Sequence, residues 1–229
     1  MDVARILLAA ALPAVLLLVA LACFAADGEA IQLPSPRRSG AVAVEEAVAR
    51  RRSRRAFRPE ALTVEQLSQV LWCAQGLTGS DGRKRAVPSA GATYPLRLYA
   101  VVGNATCGRI PAAVYLYRPD EHALEQHASG DVRNELAAAA LHQDFIAAAP
   151  LVLVLTADYP RTTGRYGQRG IRYVHMEAGH AGQNVHLQSE ALGLGTCMIG
   201  AFDDEAVRKV LSLPAEEPPL YIMPVGYPE

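Results

Sequence analysis

The segment Arg50-Arg51-Arg52-Ser53-Arg54-Arg55-Ala56-Phe57-Arg58 places six arginines in nine residues. Guanidinium forks pair with phosphate oxygens and a serine hydroxyl adds a donor, so Arg51, Arg52 and Ser53 are candidates for holding an anion. Charge alone leaves two other readings open: a solvated helix end, where arginine suits the dipole, and a basic patch against a membrane surface. A second segment, Arg85 to Pro95, is rich in small residues. Pro88, Ser89, Ala90 and Gly91 let backbone approach a flat ligand, or form an ordinary tight loop. A third, Gly193-Leu194-Gly195-Thr196, follows a helix and not a strand. It fails the strand, glycines, helix order of dinucleotide sites and reads as a helix stop with room for a close backbone contact. The six histidines have no metal-ligand spacing, and His175-Met176-Glu177-Ala178-Gly179-His180 is not the two-histidine zinc motif, so no metal is expected. Neither a nucleophile elbow nor a P-loop is present.

Several elements must position these residues. A short helix from Val42 to about Arg51 leads into the arginines. Thr63-Val64-Glu65-Gln66 is a capping box, followed by an apolar stripe through Leu67, Val70, Leu71 and Ala74, with Gly76 as its stop. Leu96–Gly103, Ala113–Arg118 and Leu220–Gly226 read as strands. Leu151–Thr156 is continuously apolar and reads as a central strand covered on both sides. Asp131 is expected to cap a helix running to Ala149, which Pro150 closes. The long helix Ile171–Leu192 has a thin face at Gly179, Ala181 and Gly182 that would admit a second helix. Asp203 or Asp204 caps a last helix. Helices and strands mix without steady alternation, which predicts an α+β fold, a sheet flanked by helices.

The chain has 229 residues, enough for one domain or two small ones. Its 51% apolar content excludes wholesale disorder. With 22 basic and 23 acidic side chains it lacks the basic excess of a general nucleic-acid binder. Ile6 to Ala26 carries no charge, so residues 1–26 are expected to be a signal peptide or membrane anchor, with the protein exported, periplasmic or membrane-anchored. Were that run not a true leader, the protein would be cytoplasmic. Residues 27–40 read as a linker and 41–229 as the folded domain. Cys73, Cys107 and Cys197 then remain, an odd number without a redox spacing.

Taken together, the segments resemble the flavin-dependent nitroreductase family. The closer likeness is to its azoline-oxidase-like branch of SagB- and ThcOx-type dehydrogenases, which act on thiazolines and oxazolines in modified peptides. The resemblance is carried by Arg51 to Phe57, Pro88 to Pro95, Tyr173 with Glu177 to Asn184, Ala191 to Gly195, and Pro224 to Pro228. It implies a mixed, mainly antiparallel sheet and an FMN held at a homodimer interface. Arg51, Arg52 and Ser53 would hold the phosphate. Pro88, Ser89, Ala90 and Gly91 would line the ring, and Gly193, Leu194, Gly195 and Thr196 would meet it through backbone donors. Family members usually continue into a basic tail beyond the last strand; the sequence here ends at Glu229, so part of that grip would be absent or supplied by other groups. The branch carries a Lys-Tyr pair near the flavin, where this chain has Arg165-Tyr166. Arginine does not release its proton at working pH, which leaves Tyr166 as the catalytic candidate. The implied function is hydride transfer between flavin N5 and a small-molecule or peptide-derived substrate, the alternative being a flavin-binding member without turnover.

Overall fold

Leu151–Ala157 forms a strand in which every residue is buried. Such a strand needs neighbours on both edges and cover on both faces. The computed structural model, which describes residues 30–79, 82–104 and 106–229, supplies both. Its strands are β1 (Ile31–Gln32), β2 (Leu96–Val102), β3 (Ala113–Arg118), β4 (Ala123–Ser129), β5 (Leu151–Ala157), β6 (Gly195–Thr196) and β7 (Pro219–Gly226). They order as β1-β4-β3-β2-β5-β7-β6, and every neighbouring pair of them is antiparallel. The helices are α1 (Val44–Arg50), α2 (Val64–Gln75), α3 (Arg133–Ala139), α4 (Phe145–Ala148), α5 (Tyr159–Tyr166), α6 (Arg169–Ala191) and α7 (Asp204–Val210). The fold is α+β, as expected.

Strand alternation divides the core in two. Leu151, Leu153 and Leu155 join Leu67, Val70 and Leu71 of α2 and Val174, Ala178, Ala181 and Val185 of α6 on one face. Val152 and Val154 join Leu136 of α3, Ile146 of α4 and Val207 of α7 on the other. Each fully buried Leu, Ile or Val contributes about 1.5–3 kcal/mol, so the central strands anchor both helix layers. An antiparallel strand can therefore read as a continuous apolar run when helices cover both faces.

The capping box at Thr63 and Gln66 forms in full, and Asp203 caps α7 through the Ala206 amide. Gly76 ends α2 for a different reason than expected. Its φ of −69° is not left-handed, but a Cβ there would lie 2.2 Å from the Trp72 ring.

Three other expectations are corrected. The helix expected from Asp131 to Ala149 is two pieces, α3 and α4, because Leu141 and His142 take left-handed φ values of 59° and 57°. Asp131 pairs with the Arg133 side chain, accepts from the Asn104 amide, and accepts from the Arg133 amide, the first of α3, at 3.3 Å, while Val132 holds the N-cap position. Two of the three thin-face residues of α6 point inward: Ala181 and Gly182 are buried, and a Cβ on Gly182 would lie 2.5 Å from Met198 Sδ, whereas Gly179 is half-buried with nothing within 4 Å of its Cβ position. Of the stretch 27–40, expected as a linker, Ile31–Gln32 pairs with β4, and Arg37 exchanges backbone hydrogen bonds with the Gln69 amide. The expected leader at 1–26 lies outside the described residues. Among those described, no helix is long and apolar enough to cross a membrane. Cys73, Cys107 and Cys197 are buried free thiols.

Candidate functional site

The arginine segment is extended and pinned at both ends. Ser53 bridges to Thr196, and the Arg54 amide donates to the Thr196 carbonyl at 2.9 Å. Farther along, Arg58 N donates to Tyr227 O at 2.9 Å and Phe57 bridges to Pro228. The chain's last strand and the Gly195–Thr196 strand thus present Arg51, Arg52 and Ser53 at one sheet edge, beside the end of α6. Gly195 has no room for a Cβ, because the Arg54 side chain lies 2.6 Å from where it would be. Gly193 has a φ of 70°, the left-handed turn that lets the chain leave α6.

Three buried polar atoms at this edge lack a hydrogen-bond partner: Arg54 Nε, Thr196 Oγ1 and Ser189 Oγ. Buried polar groups are rarely left unpaired, and each such atom costs free energy until a partner arrives. Glu190 already accepts from the Arg52 amide at 3.3 Å, so an incoming anion must displace a carboxylate there. The Arg52 guanidinium donates to the carbonyls of Ala49 and Arg51. It caps α1, the helix-end role that arginine suits. His186, buried nearby, has its pKa lowered to about 4, first by burial and then by Arg51. Its neutral ring adds no charge to the cluster.

The small-residue loop is held by α5, an element the sequence did not announce. Arg165 Nη1 donates to Gly91 O at 3.1 Å, Arg161 Nε donates to Thr93 O at 3.0 Å, and the Thr93 and Thr162 hydroxyls lie 2.8 Å apart. Gly91 has a φ of 60°, and a Cβ there would lie 2.6 Å from Tyr166 Oη and 2.8 Å from Arg165 Nη1. Tyr166 therefore touches the loop expected to line the ring, and packs edge-on against Tyr173. It is the last residue of α5.

Beneath the loop lies Glu177, part of the Glu177-to-Asn184 segment but without an expected role. It is 3% exposed, its Oε1 lacks a partner, and it interacts with the Ser89 side chain. Burial, partly offset by Ser89, Arg85 and Arg161, raises its pKa to about 7. Arg54 and Glu190 were missed as well. Charge pattern marked Arg54 only as one of six arginines, and no sequence signal marked Glu190.

The site residues thus gather in two groups on one helix. Pro88 to Gly91, with Tyr166, lies by Glu177. Arg51, Arg52, Ser53 and Gly193 to Thr196 lie by Ser189 and Glu190. Along α6 these groups are about 20 Å apart, at about 1.5 Å per residue.

Comparison with known proteins places this arrangement. The nitroreductase family model matches residues 48–227. MJ1384 of Methanocaldococcus jannaschii, which bears a nitroreductase name, is 46% identical over 200 residues, covering 87% of this chain and 97% of its own. The trifolitoxin-processing protein TfxB of Rhizobium leguminosarum bv. trifolii is 31% identical over 140 residues, 59% of this chain and 37% of that protein. A Ralstonia eutropha JMP134 structure with a nitroreductase name superposes with a TM-score of 0.77 at 28% identity, covering 89% of this chain and 91% of that one. A chain of the Escherichia coli microcin synthetase complex McbBCD superposes at 0.69 with 23% identity, covering 88% and 79%, a likeness of fold. The chain belongs to the nitroreductase family.

Proposed function

We propose that the protein is an FMN-dependent oxidoreductase that works as a homodimer and transfers a hydride to or from a small-molecule or peptide-derived substrate. The observation that carries this reading is the set of unpartnered buried donors, Arg54 Nε, Thr196 Oγ1 and Ser189 Oγ, beside Arg51, Arg52 and Ser53. A phosphate oxygen is the acceptor such a set lacks. Arg51 and Arg52 would supply the charge, Ser53 a hydroxyl, and the backbone of Gly193, Leu194, Gly195 and Thr196 the close approach. Pro88, Ser89, Ala90 and Gly91 would form the flat wall.

The bound flavin would supply the hydride acceptor or donor, and the chain position and electrostatics. Tyr166, beside Gly91, would hold or take a proton at the substrate, and Arg165 next to it fixes the loop. The peptide-derived substrate is suggested by the resemblance to the azoline-oxidase-like branch and by TfxB, named a trifolitoxin-processing protein, and the dimer by the family.

The test is absorbance of purified protein in the flavin bands, followed by anaerobic mixing with NADH and with NADPH. Rapid bleaching by either favours a reductase. Bleaching only by an azoline-bearing peptide favours a dehydrogenase, the direction that suits an exported protein cut off from the nicotinamide pool. A protein that neither carries nor takes up FMN would overturn the proposal.

A further inference from the structure

A second group of arginines lies away from the flavin-phosphate candidates. Arg85, Arg97, Arg118 and Arg161 line a pocket of about 220 Å³ bounded by β2, β3, the turn after β3 and α5. Arg97 and Arg118, at the rim, have carboxylate partners of their own in Glu217 and Glu125. Arg85 and Arg161 form no ion pair among the described residues.

Arg85 is partly buried. Its guanidinium donates to Gln75 Oε1 at 3.1 Å and lies 4.7 Å from the Tyr94 ring centroid. Asp120, at the rim, and Glu177, behind the loop, act on it only at longer range. A cation taken out of water without a counter-charge is costly, and structures that keep one usually supply an anion. A second, independent observation points the same way. Gln75 also lines the pocket and is 1% exposed; Arg85 occupies its Oε1, and its Nε2 has no partner. Nε2 is a donor, and the chain provides it no acceptor.

We propose that this pocket is an anion-binding site, separate from the Arg51-Arg52-Ser53 cluster, for a compact oxyanion: the phosphate or carboxylate group of a small molecule. Arg85 and Arg161 are the paired guanidiniums, Gln75 Nε2 is the neutral donor, and Arg97 and Arg118 raise the local potential. Because Arg161 Nε also holds Thr93 O and Arg85 stacks on Tyr94, an occupant would stiffen the Arg85–Tyr94 loop. The site does not depend on flavin being bound.

Calorimetric titration of the full chain with inorganic phosphate, and separately with succinate, tests the proposal in low-salt buffer. Saturable binding of either, weakened by added salt, is the expected result, and the better ligand identifies the group. Arg161→Gln and Arg85→Gln should each weaken it at least about tenfold, whereas Arg51→Gln with Arg52→Gln should remove only phosphate held at that separate cluster and leave the Arg161-dependent binding unchanged. Arg118→Gln, exposed and off the loop, should weaken it to a smaller degree and keeps the test decisive if Arg85→Gln does not fold. The proposal is overturned by the absence of binding for both ligands, by indifference to Arg161 and Arg118, or by loss of the Arg161-dependent binding in the Arg51/Arg52 double variant.

Discussion

Glu177 and His186 lie on the same helix and respond to pH in opposite senses. The Glu177 carboxyl has its pKa raised from 4.5 to about 7 in the fold, so its protonated form is the one the fold prefers. Stability from that preference is full below pH 4.5 and is lost as pH rises through 7. The His186 ring, lowered from 6.5 to about 4, contributes stability present above 6.5 and lost as pH falls through 4. Glu177→Gln keeps the shape without the charge. It should stabilise the flavin-free protein at pH 8, by about 2–3 kcal/mol at most, and change little at pH 4.5. Urea unfolding at both values measures this; an equal effect at each would remove the carboxyl's ionisation as the cause. At Tyr166 the expectation concerns rate. If the hydroxyl takes a proton as hydride leaves the substrate, Tyr166→Phe should slow flavin reduction by substrate at least tenfold with flavin content unchanged, general-base contributions being about 10²–10⁴-fold. An unchanged rate would leave the ring as packing against Tyr173 and Gly91. The arginine cluster and the small-residue loop were legible in the sequence because charge density and side-chain size are local properties. Glu177 was not, since its burial is decided by Ser89 and by the loop packed over it.

The helix α5 shows where local reasoning ran out. Tyr159-Pro160-Arg161-Thr162-Thr163-Gly164-Arg165-Tyr166 has no apolar stripe, yet the segment is helical because α6 packs beside it. Gly170 makes that contact: a Cβ there would lie 2.9 Å from Thr163 Cα and backbone N. Backbone cannot swing aside as a side chain can. Gly170→Ala should therefore cost about 1–3 kcal/mol by overpacking, although alanine is the better helix former. At Gly182 the obstacle is the flexible end of Met198, so Gly182→Ala should cost less than Gly170→Ala. Thermal unfolding of the two variants gives the comparison, and the reverse order would refute this packing account. β4 was missed for a related reason: Ala123-Leu124-Glu125-Gln126-His127-Ala128-Ser129 lacks clean alternation, and pairing to β3 across a bulge fixes it. The capping box, the β3 limits and the long α6 were legible because each is written in adjacent residues.

At the scale of the whole molecule the two halves of the site must be reconciled. The residues proposed to grip the phosphate and the loop proposed to line the ring sit about 20 Å apart along α6, so one chain need not supply both to one flavin. Apolar side chains are exposed on the helices that carry these groups: Val44 at 68% and Val48 at 53% on α1, and Ile171 at 37% and Met176 at 53% on α6. Burying them against a second copy would contribute up to about 1.5–3 kcal/mol each, and Met176→Glu should weaken the dimer and lower flavin content together. Two-fold symmetry would then place the loop of each copy against the phosphate residues of the other. A complementation experiment separates this from a site within one chain. Arg51→Ala with Arg52→Ala should empty the phosphate grip, and Gly91→Val, strained at φ 60° and blocked by Tyr166 Oη, should spoil the ring wall. Neither variant alone should retain FMN. Mixed in one dimer, they leave one site with both lesions and one with none, so the heterodimer should hold about one flavin. If each site lay within a single chain, both sites of the mixed dimer would be damaged and it would hold none. Isolating the heterodimer by two different affinity tags and counting flavin per chain decides between these outcomes.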